Sequence, residues 1–358
     1  MDIKEAIASC RKGGIRIVMI TGDHPLTALN IAGKVGVVDE GEQRVIIGKD
    51  LPAMDSITEE WKKKILSTAV FARTTPKQKL DVVGIYQKAG NIVAMTGDGV
   101  NDAPALKKAD VGIAMGLRGT QVAKETASII LKDDSFTSIA AAVAHGRIIF
   151  QNIQKFVVYL ISCNLSEILI VTALSFLSPA SVLLPLQILF LNMVTDVFPA
   201  LALGVGKGDN NVMDRPPRDP KKNIITKRNW IAIGVYAGAM TVSVLLAVFY
   251  CRYTMTTNSR MENNIAFISL AFAQLFHVFN MSSRYSGLLV NDVTKNKFVW
   301  WALIICFGLL VLVFILPQMR LVLHLEILPV KIWIVSIVAG LLPLIFVQAY
   351  RMIRGKKK

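Results

Sequence analysis

Paired cysteines are missing from this sequence. Its four, Cys10, Cys163, Cys251 and Cys306, are scattered without a repeated spacing, which excludes a disulfide framework and a cysteine metal cluster. Acidic residues are scarce as well: 25 Asp and Glu stand against 40 Lys and Arg, a formal net charge of +15. No basic patch is interleaved with aromatics, so the excess does not point to nucleic acid. The basic residues cluster beside apolar stretches, as in 207–228 and 351–358, which is how cytoplasmic loops of membrane proteins are built. The N-terminus is charged and amphipathic, not the apolar core of a signal peptide. Apolar surface, by contrast, is abundant. A hydrophobic content of 53% and a mean hydropathy of +0.50 are too high for an ordinary soluble protein, and 358 residues leave room for two or three domains.

Up to about residue 134, short apolar runs alternate with helical patterns. The runs 15–20 and 91–95 read as buried strands, each followed by Thr-Gly-Asp. Further strands are expected at 111–115 and 128–131, with helices over 25–34 and 76–89. Strands alternating with helices imply a parallel, doubly wound sheet, whose ligands bind at the carboxyl ends of the strands, where both Thr-Gly-Asp turns fall. The second of these turns, within Ala94-Met-Thr-Gly-Asp-Gly-Val-Asn-Asp-Ala-Pro-Ala-Leu106, sets Asp98 and Asp102 four residues apart. Two carboxylates in a tight turn after a strand suit Mg²⁺, a hard cation that takes oxygen ligands and neutralises charge on a transferring phosphoryl group.

From about residue 135 the character changes. Apolar segments near 155–176, 182–203, 230–251, 263–281, 298–317 and 328–349 each approach or exceed what a hydrocarbon core of about 30 Å requires. The linkers 205–228 and 282–297 and the C-terminal tail are basic, which places both ends and the first half on the cytoplasmic side of the bilayer. The weakest span is 263–281, which holds Gln274, His277 and Asn280. The first crossing reads as helical from Ser135, a candidate N-cap, to about Phe176, which is roughly 60 Å at about 1.5 Å per residue. One long helix and two shorter ones broken near Gly146 both fit this stretch.

Several polar residues lie at membrane depth. Asn164 and Glu167 share one helical face on the first crossing, as do Asn192, Thr195 and Asp196 on the second. Carboxylates there are costly and signal function, and with the two amides and the hydroxyl they compose an oxygen-rich cage for a hard cation. Pro185 and Pro199 are placed to free backbone carbonyls as further ligands. The plainer reading is an interhelical hydrogen-bond network with neutralised acids. Gln274 and Asn280 are weaker ligand candidates, and for His277 packing or interhelical bonding fits better than a ligand role.

The motifs together resemble the C-terminal half of a P-type cation-transporting ATPase, most like the Ca²⁺ pumps of its second class, over essentially the whole chain. Met19-Ile-Thr-Gly-Asp-His24, Phe71-Ala-Arg-Thr-Thr-Pro-Lys-Gln-Lys79 and 95–106 are similar to successive phosphorylation-domain motifs. Asn192-Met-Val-Thr-Asp-Val-Phe-Pro-Ala200 and Met213-Asp-Arg-Pro-Pro-Arg218 resemble the sixth membrane helix and the loop after it. The resemblance implies an α/β haloacid-dehalogenase-like (Rossmann-like) partial phosphorylation domain over 1–134. An all-α transmembrane bundle of six helices over 135–358, equivalent to the family's fifth to tenth, follows it. It implies Asp98 as Mg²⁺ ligand and Asp102 and Asn101 in support of metal and phosphoryl group. Lys79 neutralises the acyl-phosphate, Thr21 and Gly22 bind its oxygens, and Asp23 holds that loop. It assigns Asn164, Glu167, Asn192, Thr195 and Asp196 to the transported cation, with Ca²⁺ favoured by the amide at Asn192. Gln274 stands where two-site Ca²⁺ pumps often carry an acid.

The family's phosphorylated aspartate lies in Asp-Lys-Thr-Gly, which does not occur here, and neither the nucleotide-binding nor the actuator domain is recognisable. The expected protein is therefore the C-terminal portion of an ATP-driven cation pump, inactive without its N-terminal half. ATP is then a substrate of the complete pump only. The alternative is a stand-alone membrane protein that binds cations passively or regulates an intact pump.

Overall fold

A computed structural model describes residues 2–39, 44–208, 211–255, 257–282 and 290–355; parts of the basic linkers and the last three residues of the basic tail lie outside them. The chain forms two compact units, one of 2–146 with 211–218, the other of 147–208 with 219–355.

In the first unit, helices α1 (Ile3–Lys12), α2 (Pro25–Val35), α3 (Glu59–Ser67), α4 (Pro76–Lys88), α5 (Ala103–Lys108) and α6 (Gln121–Thr126) alternate with short strands. The strands are β1 (Met19–Ile20), β2 (Ile46–Ile47), β3 (Val70–Ala72), β4 (Ala94–Gly97), β5 (Val111–Met115) and β6 (Ile129–Leu131). Every pairing is parallel, and among the described residues there are two three-stranded sheets, ordered β1-β3-β2 and β4-β5-β6. Both Thr-Gly-Asp turns do sit at strand ends. Thr21 follows β1 directly, and β4 runs to Gly97, one residue before Asp98.

β1 is shorter than the apolar run 15–20 suggests. Its neighbour pairs only from Ala69 onward, because α3 occupies the chain up to Ser67; the first ladder bond is Met19 N to Ala69 O at 2.8 Å. Helix α4 joins the two sheets. Val82 and Ile85 pack into the core of Ile46, Ile65 and Phe71, while Val83 enters the core of Met95, Ala105, Leu106 and Ala114. Two faces of one helix thus hold both strand ends near its N-terminus. Thr75 caps that N-terminus in a reciprocal capping box with Gln78, and Pro76 occupies the first turn, where its missing N–H costs nothing.

Helix α7 (Phe136–Leu177) is one uninterrupted helix of 42 residues, so the break considered at Gly146 does not occur. Its start belongs to the first unit. Ser135 Oγ accepts from Thr137 N at 3.3 Å, as an N-cap should, and Asp133 accepts from Ser135 N and Ser138 Oγ. The Ser138 hydroxyl and the Ser135 amide hold the Asp133 carboxyl below the usual carboxylate range, and the Leu117 and Arg118 amides do the same for Asp134. All four bonds favour the ionised forms. The stabilisation is therefore complete above the unfolded pKa of about 3.9 and is lost as pH falls through the depressed folded values. Protection of the amides at 117–118 and 135–138, measured against their intrinsic exchange rates, is expected to fall on acidification from about pH 5 to below about pH 3. Unchanged protection would contradict this account of the junction.

In the second unit α7 is followed by α8 (Pro185–Leu191), a π-helical turn over Asn192–Asp196 and α9 (Val197–Gly204). Next come α10 (Lys227–Thr254), α11 (Ser259–His277), α12 (Lys297–Ile315), α13 (Pro317–Val322) and α14 (Val330–Gly355). Among the described residues, six helical segments are long and apolar enough to cross a membrane, α8 to α9 counting as one. The chain is a multi-pass membrane protein. The span with the weakest hydropathy, α11, is 89% buried along its most apolar window, against 33–50% for the others. Asn263, Asn264, Gln274 and His277 of α11, and Asn280 in the turn that follows it, face protein instead of lipid, so they need partners, not apolarity. Gly340 of α14 lets the backbone of α11 come close, since a Cβ there would meet Phe272 Cβ at 2.5 Å.

Candidate functional site

In the first unit the motif residues converge on the ends of β1 and β4. The turn after β1 is locked to the loop after β3: Thr74 N and Oγ1 both donate to Thr21 O, at 3.1 and 3.0 Å, and Arg73 N donates to Asp23 O at 3.1 Å. Within it, Thr21 Oγ1 accepts from Asp23 N at 3.1 Å, which leaves the hydroxyl proton to be given elsewhere. Gly22 and Asp23 are exposed. The turn after β4 folds back on itself. The Asp102 side chain returns against Gly97, where a Cβ would meet Asp102 Cβ at 2.5 Å, so only glycine fits.

Asp102 is buried and anchored twice, by Lys79 Nζ at 2.7 Å from Oδ1 and by Gly99 N at 3.3 Å from Oδ2. Lys79 projects from the first turn of α4, where a cation opposes the helix dipole; the Asp102 carboxylate offsets that cost. Asp98 and Asn101 are exposed, and no described residue bonds the Asp98 carboxylate. No three His, Cys, Asp or Glu side chains converge among the described residues. Two carboxylates, one already shared with Lys79, and an amide make a sparse, all-oxygen donor set. That fits Mg²⁺, which keeps several waters and takes few protein ligands.

The second unit brings the membrane residues together. Glu167, Thr195, Asp196 and Gln274 are buried, Asn192 is partly so, and Asn164 is exposed. Asn164 Nδ2 donates to Asp196 Oδ2 at 3.2 Å and to Leu160 O at 2.8 Å. In the amide orientation that satisfies both groups, Asn192 Nδ2 lies 2.8 and 3.1 Å from the two Glu167 oxygens. Gln274, the weaker candidate on sequence, is central: Nε2 donates to Glu167 Oε1 at 2.9 Å and Oε1 accepts from Thr195 Oγ1 at 2.8 Å. Asp196 Oδ1 is buried with no partner among the described residues.

Three of these residues belong to the π-helical turn 192–196, whose wider winding crowds them toward α7 and α11. Pro199 has no N–H to give the Thr195 carbonyl four residues before it, as the sequence anticipated. Tyr159, which the sequence reading missed, supplies that donor: its hydroxyl lies 2.7 Å from Thr195 O and 3.2 Å from Gln274 O. The signal was present, because Tyr159, Cys163 and Glu167 fall at i, i+4 and i+8 on one face of α7. Pro185 sits at the first turn of α8, away from this carbonyl. His277 packs between Tyr159 and Tyr236 and bonds Asn280 at 3.2 Å, the role expected of it. Tyr159→Phe leaves the Thr195 carbonyl without its donor, a loss of roughly 1–3 kcal/mol. Thermal unfolding in lipid nanodiscs should register this destabilisation, and an unchanged midpoint would show that the carbonyl finds another donor.

Comparison with known proteins follows the same division. A "Cation transporting ATPase, C-terminus" profile matches 180–353, and a "haloacid dehalogenase-like hydrolase" profile matches 2–110. The chain is 38% identical over 360 residues to "Calcium-transporting ATPase 1" of Bacillus cereus, covering 96% of this chain and 40% of that protein. It is 37% identical over 359 residues to a "Calcium-transporting ATPase" of Bacillus subtilis, covering 99% and 39%. With "Calcium-transporting ATPase 4, endoplasmic reticulum-type" of Arabidopsis thaliana it shares 38% identity over 304 residues, 83% of this chain and 28% of the relative. The chain thus spans about two fifths of the bacterial relatives, at 40% and 39%, and less of the plant one.

Proposed function

The chain belongs to the P-type cation-transporting ATPases, and from that membership we propose that it supplies the Mg²⁺- and phosphate-handling part of an aspartyl-phosphate centre and the cation-binding part of a Ca²⁺ pump. The observation that carries this reading is the buried Asp196 Oδ1, left without a hydrogen-bond partner inside an oxygen-rich cluster at membrane depth. Such an atom calls for a positive ligand. Asn164, Glu167, Asn192, Thr195 and Asp196 form the cation site in this proposal. The parts are assigned as 1–134 for the phosphorylation domain and 135–358 for transport, with both ends cytoplasmic.

Asp98, with Asp102 and Asn101, would hold Mg²⁺, which when bound supplies charge neutralisation on a transferring phosphoryl group. Thr21 Oγ1 and the Gly22 amide face phosphoryl oxygens as donors, Asp23 keeps that loop closed, and Lys79 contributes positive charge. These residues position and stabilise; none of them is the nucleophile. The 358 residues hold no Asp-Lys-Thr-Gly, and β1 and β4, at whose ends the two Thr-Gly-Asp sequences lie, are each paired on one side only among the described residues. A parallel strand entering between them from other polypeptide would bring an aspartate to the same strand ends. The protein is therefore inactive on its own in this proposal, and ATP is the substrate of the complete pump.

Coexpression with polypeptide that carries the family's phosphorylated aspartate, nucleotide-binding and actuator domains is expected to give ATP-dependent Ca²⁺ uptake into membrane vesicles. Stable coexpression without uptake would overturn the pump reading and favour a protein that binds cations passively or regulates a separate pump.

A further inference from the structure

The connection between α12 and α14, residues 316–329, is apolar outward as well as inward. Leu316, Met319, Leu321, Val322 and Ile327 are exposed and none of α13's residues is buried, while Leu323, Leu325 and Leu328 enter the helix core from the other side. Its backbone is closed nonetheless. Leu325 N donates to Arg320 O at 2.8 Å and His324 N to Leu321 O at 3.3 Å, with His324 in the left-handed region at a φ of 53°, a Schellman closure of α13. Where the chain then leaves the helix, fully buried amides of other spans take over the pairing. Gln187 Nε2 of α8 donates to Leu323 O at 3.0 Å; Asn264 Nδ2 of α11 donates to His324 O at 3.2 Å, and its Oδ1 accepts from Glu326 N at 2.6 Å. Non-helical backbone needs such protein partners at membrane depth, whereas in water solvent would serve.

Aromatic side chains mark that depth. Trp230 and Tyr253 are exposed at the two ends of α10, roughly 35 Å apart at about 1.5 Å per residue, which suits two interfacial belts. Trp301, exposed near the start of α12, lies on Trp230's side of the membrane, since two crossings, α10 and α11, separate them. From Trp301 α12 rises only roughly 21 Å before it ends at Ile315, short of a hydrocarbon core of about 30 Å. We propose that 316–327 is a membrane-inserted turn: phospholipid acyl chains cover its exposed apolar side chains, and Arg320 reaches the headgroup phosphates. Arg320 is the only lysine or arginine between Lys297 and Lys331, and its Nε is buried with no partner among the described residues. An arginine at this depth keeps its stem in lipid and its charge at the phosphate layer. Lipid is the occupant because α12 and α14, which flank the turn, are the two spans least buried by protein. The placement stands on the six spans alone and is independent of the pump reading.

The test is electron paramagnetic resonance on the full chain in phospholipid nanodiscs. All four native cysteines are buried, so a nitroxide can be attached at one exposed site, Leu321→Cys, with Lys221→Cys in the loop before α10 as the aqueous reference. The label at 321 is expected to collide severalfold more often with oxygen, which dissolves in acyl chains, than with a water-soluble nickel chelate. The label at 221 should do the reverse. Frequent nickel collisions at 321 would overturn the insertion. Shielding from both reagents would overturn it too, since a second copy or another protein would then cover the turn. Arg320→Leu in the same labelled background is expected to raise the oxygen-to-nickel ratio at 321, because nothing then holds the turn to the headgroups. An unchanged ratio would overturn the phosphate contact. Val322→Cys repeats the measurement should Leu321→Cys fail to fold.

Discussion

Asp98→Ala is expected to cut ATP-dependent Ca²⁺ uptake, measured with the complementing polypeptide present, by at least about a hundredfold, the usual scale for removing one preorganised electrostatic partner of a transition state. The choice of Asp98 over Asp102 follows from their surroundings. Asp102 is buried against Lys79 Nζ at 2.7 Å, and its side chain and the lysine's are only 10% and 16% exposed. Removing one member of such a pair leaves a largely buried charge, which costs a few kcal/mol of stability and confuses chemistry with folding. Asp98 is exposed and, among the described residues, anchors nothing through its carboxylate; its carbonyl accepts from Thr120 N at 2.8 Å. Its loss should cost stability no more than about 0.5 kcal/mol, as surface substitutions do. A drop in uptake and in phosphoenzyme formation, at an unchanged melting temperature, is thus attributable to the site. Uptake within a few-fold of the unaltered chain would refute the assignment of Asp98.

The strand-end placement of both Thr-Gly-Asp turns was legible in the sequence because a continuous apolar run followed by a Gly turn has few other meanings in a parallel sheet. Strands β2 and β3 were not, since two or three residues carry no period. The paired state of Ile46 and Ile47 depends on β3, which is distant in the chain. The six spans were legible from length and apolarity. The central place of α11 was not, because hydropathy measures preference for lipid and this helix is surrounded by protein. In the cation cluster the charged residues announced themselves through the cost of burying a carboxylate. Gln274 stood out only as a weaker candidate and Tyr159 not at all: an amide and a phenol carry no charge to bury, and what reveals their roles is their partners, Glu167, Thr195 and the carbonyl that Pro199 leaves free. The π-helical turn had only that proline as a trace, since its extra residue per turn is set by packing against α7 and α11.

Asp196→Asn is expected to weaken Ca²⁺ binding by the chain roughly a hundredfold or more. Two unit charges about 4 Å apart attract by about 4 kcal/mol at an effective dielectric of about 20, and a divalent ion doubles this before its dehydration is subtracted. A net loss of roughly 2.7 kcal/mol, about two powers of ten, is a conservative remainder. The substitution keeps shape and volume, so the helices have little reason to move. It also gives the buried position an N–H₂ where the unpartnered Oδ1 stood, and that donor repels a cation instead of ligating it. Glu167→Gln should behave differently, because Glu167 already accepts from Asn192 and Gln274; an amide there would meet two donors, so its main cost falls on packing and hydrogen bonding. Ca²⁺ titration in nanodiscs, read beside the melting temperature of each variant, separates the two. Asp196→Asn should lose affinity at nearly unaltered stability, and Glu167→Gln should lose stability first. The reverse pattern would move the ion from Asp196 to Glu167.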